Sequence, residues 1–256
     1  MSKTLIVGDF HGSAKSISSK NFPEGKDLTK DDVLIQMGDF GMYFYNEQDD
    51  SDIYWLDWLS EKPFTFVFFR GNHDNKKLIE RNVKWITKWG NTVGEIQRKH
   101  GKIYYLPGGV YIINKKRILV IPGATSHDKH LRKSEIDWWE DETLHRTETE
   151  KILNDLDRIN WKVDLMLSHT PGSGVQHYFF EGYPNHCSVA QFIDFVQERL
   201  EFKYSFFGHM HNERLFIAED EENLTEKEYH QCTYNKVIDI DEYIKSKSKS
   251  KGKDNG

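Results

Sequence analysis

The sequence predicts an α/β fold, and three observations carry that reading. Short apolar runs rich in β-branched and aromatic residues recur along the chain. They are near-continuous rather than alternating, as in sheets buried on both faces. Segments with apolar residues at helical spacing lie between them, and strand–helix alternation is the pattern of α/β chains.

In chain order, Thr4-Leu5-Ile6-Val7 is the first strand and runs into Gly8-Asp9. Val33-Leu34-Ile35-Gln36-Met37 follows and runs into Gly38-Asp39. Segment 51–61 reads as a helix. Strand 64–69 runs into Arg70-Gly71-Asn72-His73-Asp74, and 75–82 reads as a helix. Strand 117–121 runs into Pro122-Gly123. In 147–160, Ile152, Leu153, Leu156 and Ile159 form a stripe behind an acidic first turn, Glu148 and Glu150. Strand 163–167 runs into Ser168-His169-Thr170-Pro171. In 188–202, Val189, Phe192, Ile193, Val196 and Leu200 form a second stripe, with Ser188 as the expected N-cap. Tyr204-Ser205-Phe206-Phe207 runs into Gly208-His209-Met210-His211. From about 215 to 240 strand-like runs return, which predicts an extra hairpin. Residues 1–244 read as one domain without internal repeats. The Lys/Ser-rich stretch 245–256 reads as a disordered tail, a solubilising feature or a contact for an anionic surface.

Composition sets outer limits. A chain of 256 residues buries roughly three quarters of its unfolded surface and needs no covalent staple. Cys187 and Cys232 are too few for a disulfide framework or a Cys-based zinc site, and they read as buried small hydrophobes. No apolar run approaches the roughly 20 residues of a membrane span, and the first apolar run is too short for a signal peptide. The expectation is therefore a cytoplasmic protein with no membrane partner. Taken alone, the net charge of −6 argues against a phosphate-rich partner.

Histidine is the unusual count, 12 in all, and several histidines sit in one kind of place. Asp9 and His11 follow the first strand, Asp39 the second, and Asn72 and His73 the third. His169, then His209 and His211, follow two later strands. Each lies just past the carboxyl end of an apolar strand, the edge where open α/β sheets place ligands. Carboxylate oxygen and imidazole nitrogen suit borderline divalent ions. A carboxylate can bridge two such ions, and a pair about 3.5–4 Å apart clamps the attacking and leaving oxygens of a phosphoryl displacement.

Gly8-Asp9-Phe10-His11-Gly12, Gly38-Asp39, Gly71-Asn72-His73-Asp74, Ser168-His169 and Gly208-His209-Met210-His211 resemble the ordered motif series of the calcineurin-like metallophosphoesterases. The resemblance runs from residue 5 to about 211. Each motif alone is weak; the five in order, each after a strand, are specific. The resemblance implies a four-layer fold, a central β-sandwich flanked by helices on both faces. It implies two divalent metal ions, manganese foremost, with iron, zinc, nickel or cobalt as alternatives. Asp9, His11 and His211 would hold one ion. Asn72, His169 and His209 would hold the other, with Asp39 as the bridge. His73 would be the general acid, and Asp74 would orient its imidazole.

One departure narrows the reading. Protein Ser/Thr phosphatases and diadenosine tetraphosphatases continue the second motif as Gly-Asp-x-x-Asp-Arg-Gly, whereas this chain reads Gly38-Asp39-Phe40-Gly41-Met42-Tyr43. The phosphate-gripping arginine is missing there. Arg70 is a candidate substitute, or a simply solvated strand-end residue. The segment 122–132, with Trp138-Trp139-Glu140-Asp141-Glu142 after it, resembles stretches of bacterial and phage members. It makes His127, His130 and Arg132 candidate substrate contacts, or loop residues held locally. His100, His145 and His230 lie in polar stretches and are expected to be exposed. His177 and His186 flank an aromatic loop, 178–184, that would line the site mouth or pack in the core.

The expected activity is hydrolysis of a phosphomonoester or phosphodiester by a metal-activated hydroxide, with His73 protonating the leaving oxygen. Alternatives are a nucleic-acid-processing nuclease, a protein Ser/Thr phosphatase, and a non-catalytic scaffold, against which the complete ligand set argues. The expected partner is a phosphate-ester substrate, with a nucleotide or nucleic acid as candidates. The charge count also divides. Residues 245–256 hold five Lys and one Asp, so the rest carries −10, and two divalent ions would reverse the local field at the rim.

Overall fold

The central strands are buried on both faces, and that fixes the layers. The computed structural model describes residues 2–179, 187–219 and 227–250. In chain order it has β1 (Thr4–Val7), β2 (Val33–Met37), α1 (Asp50–Ser60), β3 (Thr65–Phe69) and α2 (Lys76–Asn82). Five strands follow: β4 (Lys84–Lys88), β5 (Asn91–Gln97), β6 (Lys102–Tyr105), β7 (Gly109–Ile113) and β8 (Lys116–Ile121). Then come α3 (Arg146–Arg158), β9 (Leu165–Ser168), α4 (Ser173–Phe179), α5 (Ser188–Gln197) and β10 (Tyr204–Phe207). The chain closes with β11 (Leu215–Glu219), β12 (Lys227–Cys232), β13 (Ile238–Asp239) and α6 (Ile240–Ser250).

Two sheets result. One has the order β13-β1-β2-β3-β6-β5-β4, the other β11-β12-β10-β9-β8-β7. Successive side chains point to opposite faces, and the core clusters follow that alternation. On β3, Val67 and Phe69 face the opposing sheet, and Phe66 and Phe68 face the outer helices. On β8, Ile118 and Val120 face inward, and Leu119 and Ile121 face the outer layer with α3 and α5. The layers are thus helices, sheet, sheet, helices. The four-layer α/β architecture expected from the motifs is what the chain forms.

The α1 start is a capping box: Asp49 accepts from the Asp52 amide, and Asp52 accepts from the Asp49 amide. At α5 the cap is Cys187, whose Sγ accepts from the Ala190 amide at 3.4 Å, one residue before the expected Ser188. That helix ends at Gln197 rather than at 202, and Leu200 reaches the core from beyond it. The predicted hairpin is β11–β12, with antiparallel pairs from Leu215↔Gln231 onward. The run 236–240 does not join it. Ile238 and Asp239 cross to the other sheet and pair with β1.

The expected disordered tail is corrected in part. Helix α6 continues through Ser250, because Tyr243 and Ile244 pack on the inter-sheet core, and the Ser246 and Ser248 hydroxyls donate to carbonyls one turn back. Residues 251–256 lie outside the described residues. His230 is also corrected. It is buried between Phe202 and Phe216, with Nε2 3.4 Å from Glu228, because its strand is covered on that face. His100 and His145 are exposed, and both cysteines are buried, as expected. The aromatic loop is described only up to α4; the rest of it and His186 lie outside the described residues. Among the described residues, no helix is long and apolar enough to cross a membrane.

Candidate metal centre

Parallel register brings the strand ends level. Val7 lies opposite Gln36, Met37 opposite Phe69, and Ser168 opposite both Ile121 and Phe207. The loops that leave these ends are then stitched to one another. The Phe10 and His11 amides donate to the Asp39 carbonyl, and Gly12 donates to the Phe40 carbonyl. Three bonds join the two sheets at the same rim. The Gly123 amide donates to the Arg70 carbonyl, the His209 amide to the Asp9 carboxylate, and His169 Nδ1 lies 3.0 Å from the Met37 carbonyl. The site sits where the carboxyl ends of both sheets meet.

Glycines admit the ligands. A Cβ at Gly71 would overlap the Asp39 carboxylate and backbone, and one at Gly38 would strike the His169 imidazole. These two positions need the close approach that only glycine permits. Asp39 itself has φ 49°, His11 and His211 have φ 46°, and His209 has φ 61°. Left-handed backbone at a non-glycine residue costs about 1–3 kcal/mol and clusters at functional sites. Four of the seven expected ligands carry that strain.

The side chains form two groups that share one residue. Asp9, His11, Asp39 and His211 form one, and Asp39, His169 and His209 the other. In each, the donor atoms lie within 4.8 Å of one another. In the first, the Nε2 atoms of His11 and His211 face each other at 2.8 Å. Asp9 Oδ2 lies 3.2 Å from His211 Nε2 and 3.8 Å from His11 Nε2. In the second, His169 Nε2 lies 3.2 Å from Asp39 Oδ1 and 3.0 Å from Asn72 Oδ1. Nitrogen and carboxylate oxygen converging this closely fit divalent cations such as manganese, iron or zinc. The Met37 carbonyl only accepts, so it fixes the proton on His169 Nδ1 and turns Nε2 toward the centre, as partners one step out do for metal-binding imidazoles.

Charge in the site is strongly coupled. Burial opposes a charged His169, but the Asp39 carboxylate outweighs it, with Asp9 adding to the effect, and the pKa rises to about 9. Burial likewise works against charge on Asp39, yet His169, His73 and His11 hold its carboxyl well below the usual range. His209 is pushed well down by burial and by the neighbouring His169. A raised folded-state pKa for His169 gives stability that is complete below about pH 6.5 and is lost as pH rises through about 9. Protein stripped of metal with EDTA should therefore melt at a lower temperature at pH 9.5 than at pH 6.5. A flat melting temperature across that window would remove the Asp39–His169 pairing.

His73 stands beside Asp39. Its amide donates to Asp39 Oδ1 at 3.1 Å, and its Nε2 lies 3.7 Å from Asp39 Oδ2. Burial lowers its pKa, and Arg132, His11 and His169 lower it further against the pull of Asp39. The expectation for Asp74 is corrected. Its carboxylate accepts from the Phe40, Gly41 and Gly71 amides, and it forms no ion pair with His73. The carboxylate facing the His73 imidazole is Asp39, because Asp74 turns back under the loops.

Arg70 is corrected as well. It is fully buried and donates to the Glu142 and Thr143 carbonyls and to Glu148, so it cannot reach a phosphate. Arg132 is half-buried, pinned bidentate by Asp128 at 2.7 and 2.8 Å, and near enough to His73 and Asp39 for their charges to couple. His127 is exposed on the same rim and couples to His209. His130 is exposed on the turn Lys129–Leu131 and belongs to neither ligand group.

Sequence reasoning missed Ser126 and Glu142. Glu142 accepts from the Ser126 hydroxyl at 2.5 Å, and Ser126 accepts from the Asn72 amide at 2.9 Å. This buried chain turns Asn72 Oδ1 toward His169. Both residues lie in the stretches flanking His127 and Arg132, but nothing in their spacing marks them.

The family described as calcineurin-like phosphoesterase matches residues 2–213. A search of curated proteins finds no match. Among solved structures, the phosphopantetheinyl hydrolase of Mycobacterium tuberculosis is similar at 14% identity and a TM-score of 0.42, over 91% of this chain and 90% of that one.

Proposed function

The chain belongs to the calcineurin-like phosphoesterase family and is a metal-dependent hydrolase of phosphate esters; we propose that it works through a dinuclear centre with His73 as general acid. The observation that carries this is one carboxylate, Asp39, common to two ligand groups. Asp9, His11 and His211 would hold one ion, and Asn72, His169 and His209 the other. Divalent cations in such a pair, manganese foremost, supply polarisation of the phosphoryl group and a nucleophile at neutral pH.

The chain's own residues do the rest. Asp39 holds the His73 main chain through its amide and lies against its ring. The imidazole is only one-fifth exposed, so a proton on it is shielded from bulk water. The lowered pKa of His73 is suited to giving up that proton, and an arriving phosphoryl anion favours the protonated ring until the leaving oxygen takes it. Arg132 would add positive charge on the same side.

His73→Ala should keep both metals, because His73 is in neither ligand group. Its turnover should fall by about 10²–10⁴ for an alkyl ester, and much less for p-nitrophenyl phosphate, whose leaving group needs no proton. Metal content by plasma mass spectrometry and the two rates check this. Equal losses on both substrates would remove the acid role.

A further inference from the structure

The aromatic run that stands in place of the missing arginine is built as a rigid shelf beside His73. After Asp39 the chain reads Phe40-Gly41-Met42-Tyr43-Phe44-Tyr45. Three consecutive carbonyls of this run are held. The Asn75 amide donates to Tyr43 O at 2.7 Å, the Trp139 indole to Phe44 O at 3.0 Å, and the Asn75 side chain to Tyr45 O at 3.2 Å. Both anchors are buried. These bonds hold the backbone that carries the rings: Phe44 lies edge-on to the His73 imidazole, centres 5.9 Å apart, and Tyr45 packs on Phe44 at 4.8 Å. Tyr45 remains 54% exposed. A second loop is tied to the same place, where the Asn46 side chain donates to Glu135 O at 2.7 Å, and the next residue, Ile136, is exposed.

Hydrolysis forms a bond from the oxygen of water to phosphorus and breaks the bond to the leaving oxygen, which takes the proton of His73; the proton that the water gives up passes to solvent, and solvent reprotonates the imidazole. Whatever that oxygen carries must extend past His73, away from the ligand groups. Phe44 borders the His73 ring, and Tyr45 borders Phe44. A pair of rings on a pinned backbone, one half-buried and one open to solvent, loses less freedom when a flat group stacks on it than rings on a mobile loop would. We propose that Phe44 and Tyr45 select phosphate esters whose leaving group carries a planar aromatic ring, such as a nucleobase or an arylmethyl group. This rests on the hydrolytic reading with His73 as acid.

The test compares benzyl and cyclohexylmethyl esters of phosphate, as monoesters and as methyl diesters. Their leaving alcohols are close in acidity and differ in flatness. The wild type should show a kcat/KM about tenfold higher for the benzyl ester. Phe44→Ala and Tyr45→Ala should bring the pair close to parity, with inhibition by inorganic phosphate, which has no leaving group, unchanged. Tyr45→Ala removes an exposed ring and keeps the comparison open if Phe44→Ala fails to fold. Equal rates for the two esters in the wild type would overturn the shelf, and so would variants that weaken phosphate inhibition in parallel. Absence of turnover with any metal would strike the hydrolytic reading instead. The shelf is then read by calorimetry, where benzylphosphonate should bind about tenfold tighter than cyclohexylmethylphosphonate, and equal binding would overturn it.

Discussion

Asp39→Asn is expected to lose both metal equivalents and at least about a hundredfold in kcat/KM, since even partners one step outside a metal's ligands cost 10–100-fold when mutated. Asp39 is the one residue common to both ligand groups, so neutralising it withdraws charge from two ions at once. Asparagine isolates that loss. Asp39 has φ 49°, a conformation asparagine adopts more readily than most residues. An amide oxygen can still accept from the His73 N–H. The fold should therefore survive. Without the carboxylate, the pKa of His169 should drop toward the neutral range, because Asp39 is what overcomes burial there. The melting temperature of the stripped variant should then be nearly flat between pH 6.5 and 9.5, unlike the wild type. Calorimetry with manganese and a melting series measure both effects. Two equivalents bound at wild-type affinity would refute the shared role.

What could be read from the sequence was what strand ends reveal. Asp9, Asp39, Asn72, His169, His209 and His211 each follow a strand of four or five residues, mostly apolar and almost wholly buried, so their common edge follows from parallel pairing. The carboxylates were harder. Asp39 and Asp74 look alike in sequence, each just after a strand and close to a glycine. What separates them is direction. Asp39 points into the centre in left-handed backbone, while Asp74 points back to three amides. Arg70 misled because alternation along β3 gives its face but not what covers that face: segment 142–148 returns over it, and Glu142, Thr143 and Glu148 take up the guanidinium. Among the strands β4–β7, which were missed, β4 is an edge strand with exposed Lys84, Trp85 and Thr87, and lacks the continuous burial that marked the others. The Ser126–Glu142 chain depends on a loop's return, which no local pattern encodes.

Asp74→Asn should destabilise the protein while leaving the chemistry of His73 intact. In the native loop Oδ2 accepts from Phe40 and Gly71 at 3.0 and 2.7 Å, and Oδ1 accepts from Gly41 at 2.8 Å. Asparagine best keeps its oxygen at the Oδ2 place and turns its NH2 toward the Gly41 amide. That leaves two donors facing each other in a buried loop. Stranded buried groups cost about 1–3 kcal/mol each, so a loss of about 3 kcal/mol is expected, or about 6–12 °C in melting temperature for a chain this size. The three amides belong to the loops that carry Asp39 and Asn72-His73, so loosening them moves ligands of both ions. Activity should fall through metal affinity, and raising manganese should restore it. An Asp74 that oriented the His73 imidazole would behave otherwise. Turnover would stay low at saturating metal, and the losses of His73→Ala and Asp74→Asn would not add, as for residues that act as a unit. The position of the carboxylate under the loops, with both oxygens already committed to main-chain amides, predicts recovery with metal and additive losses.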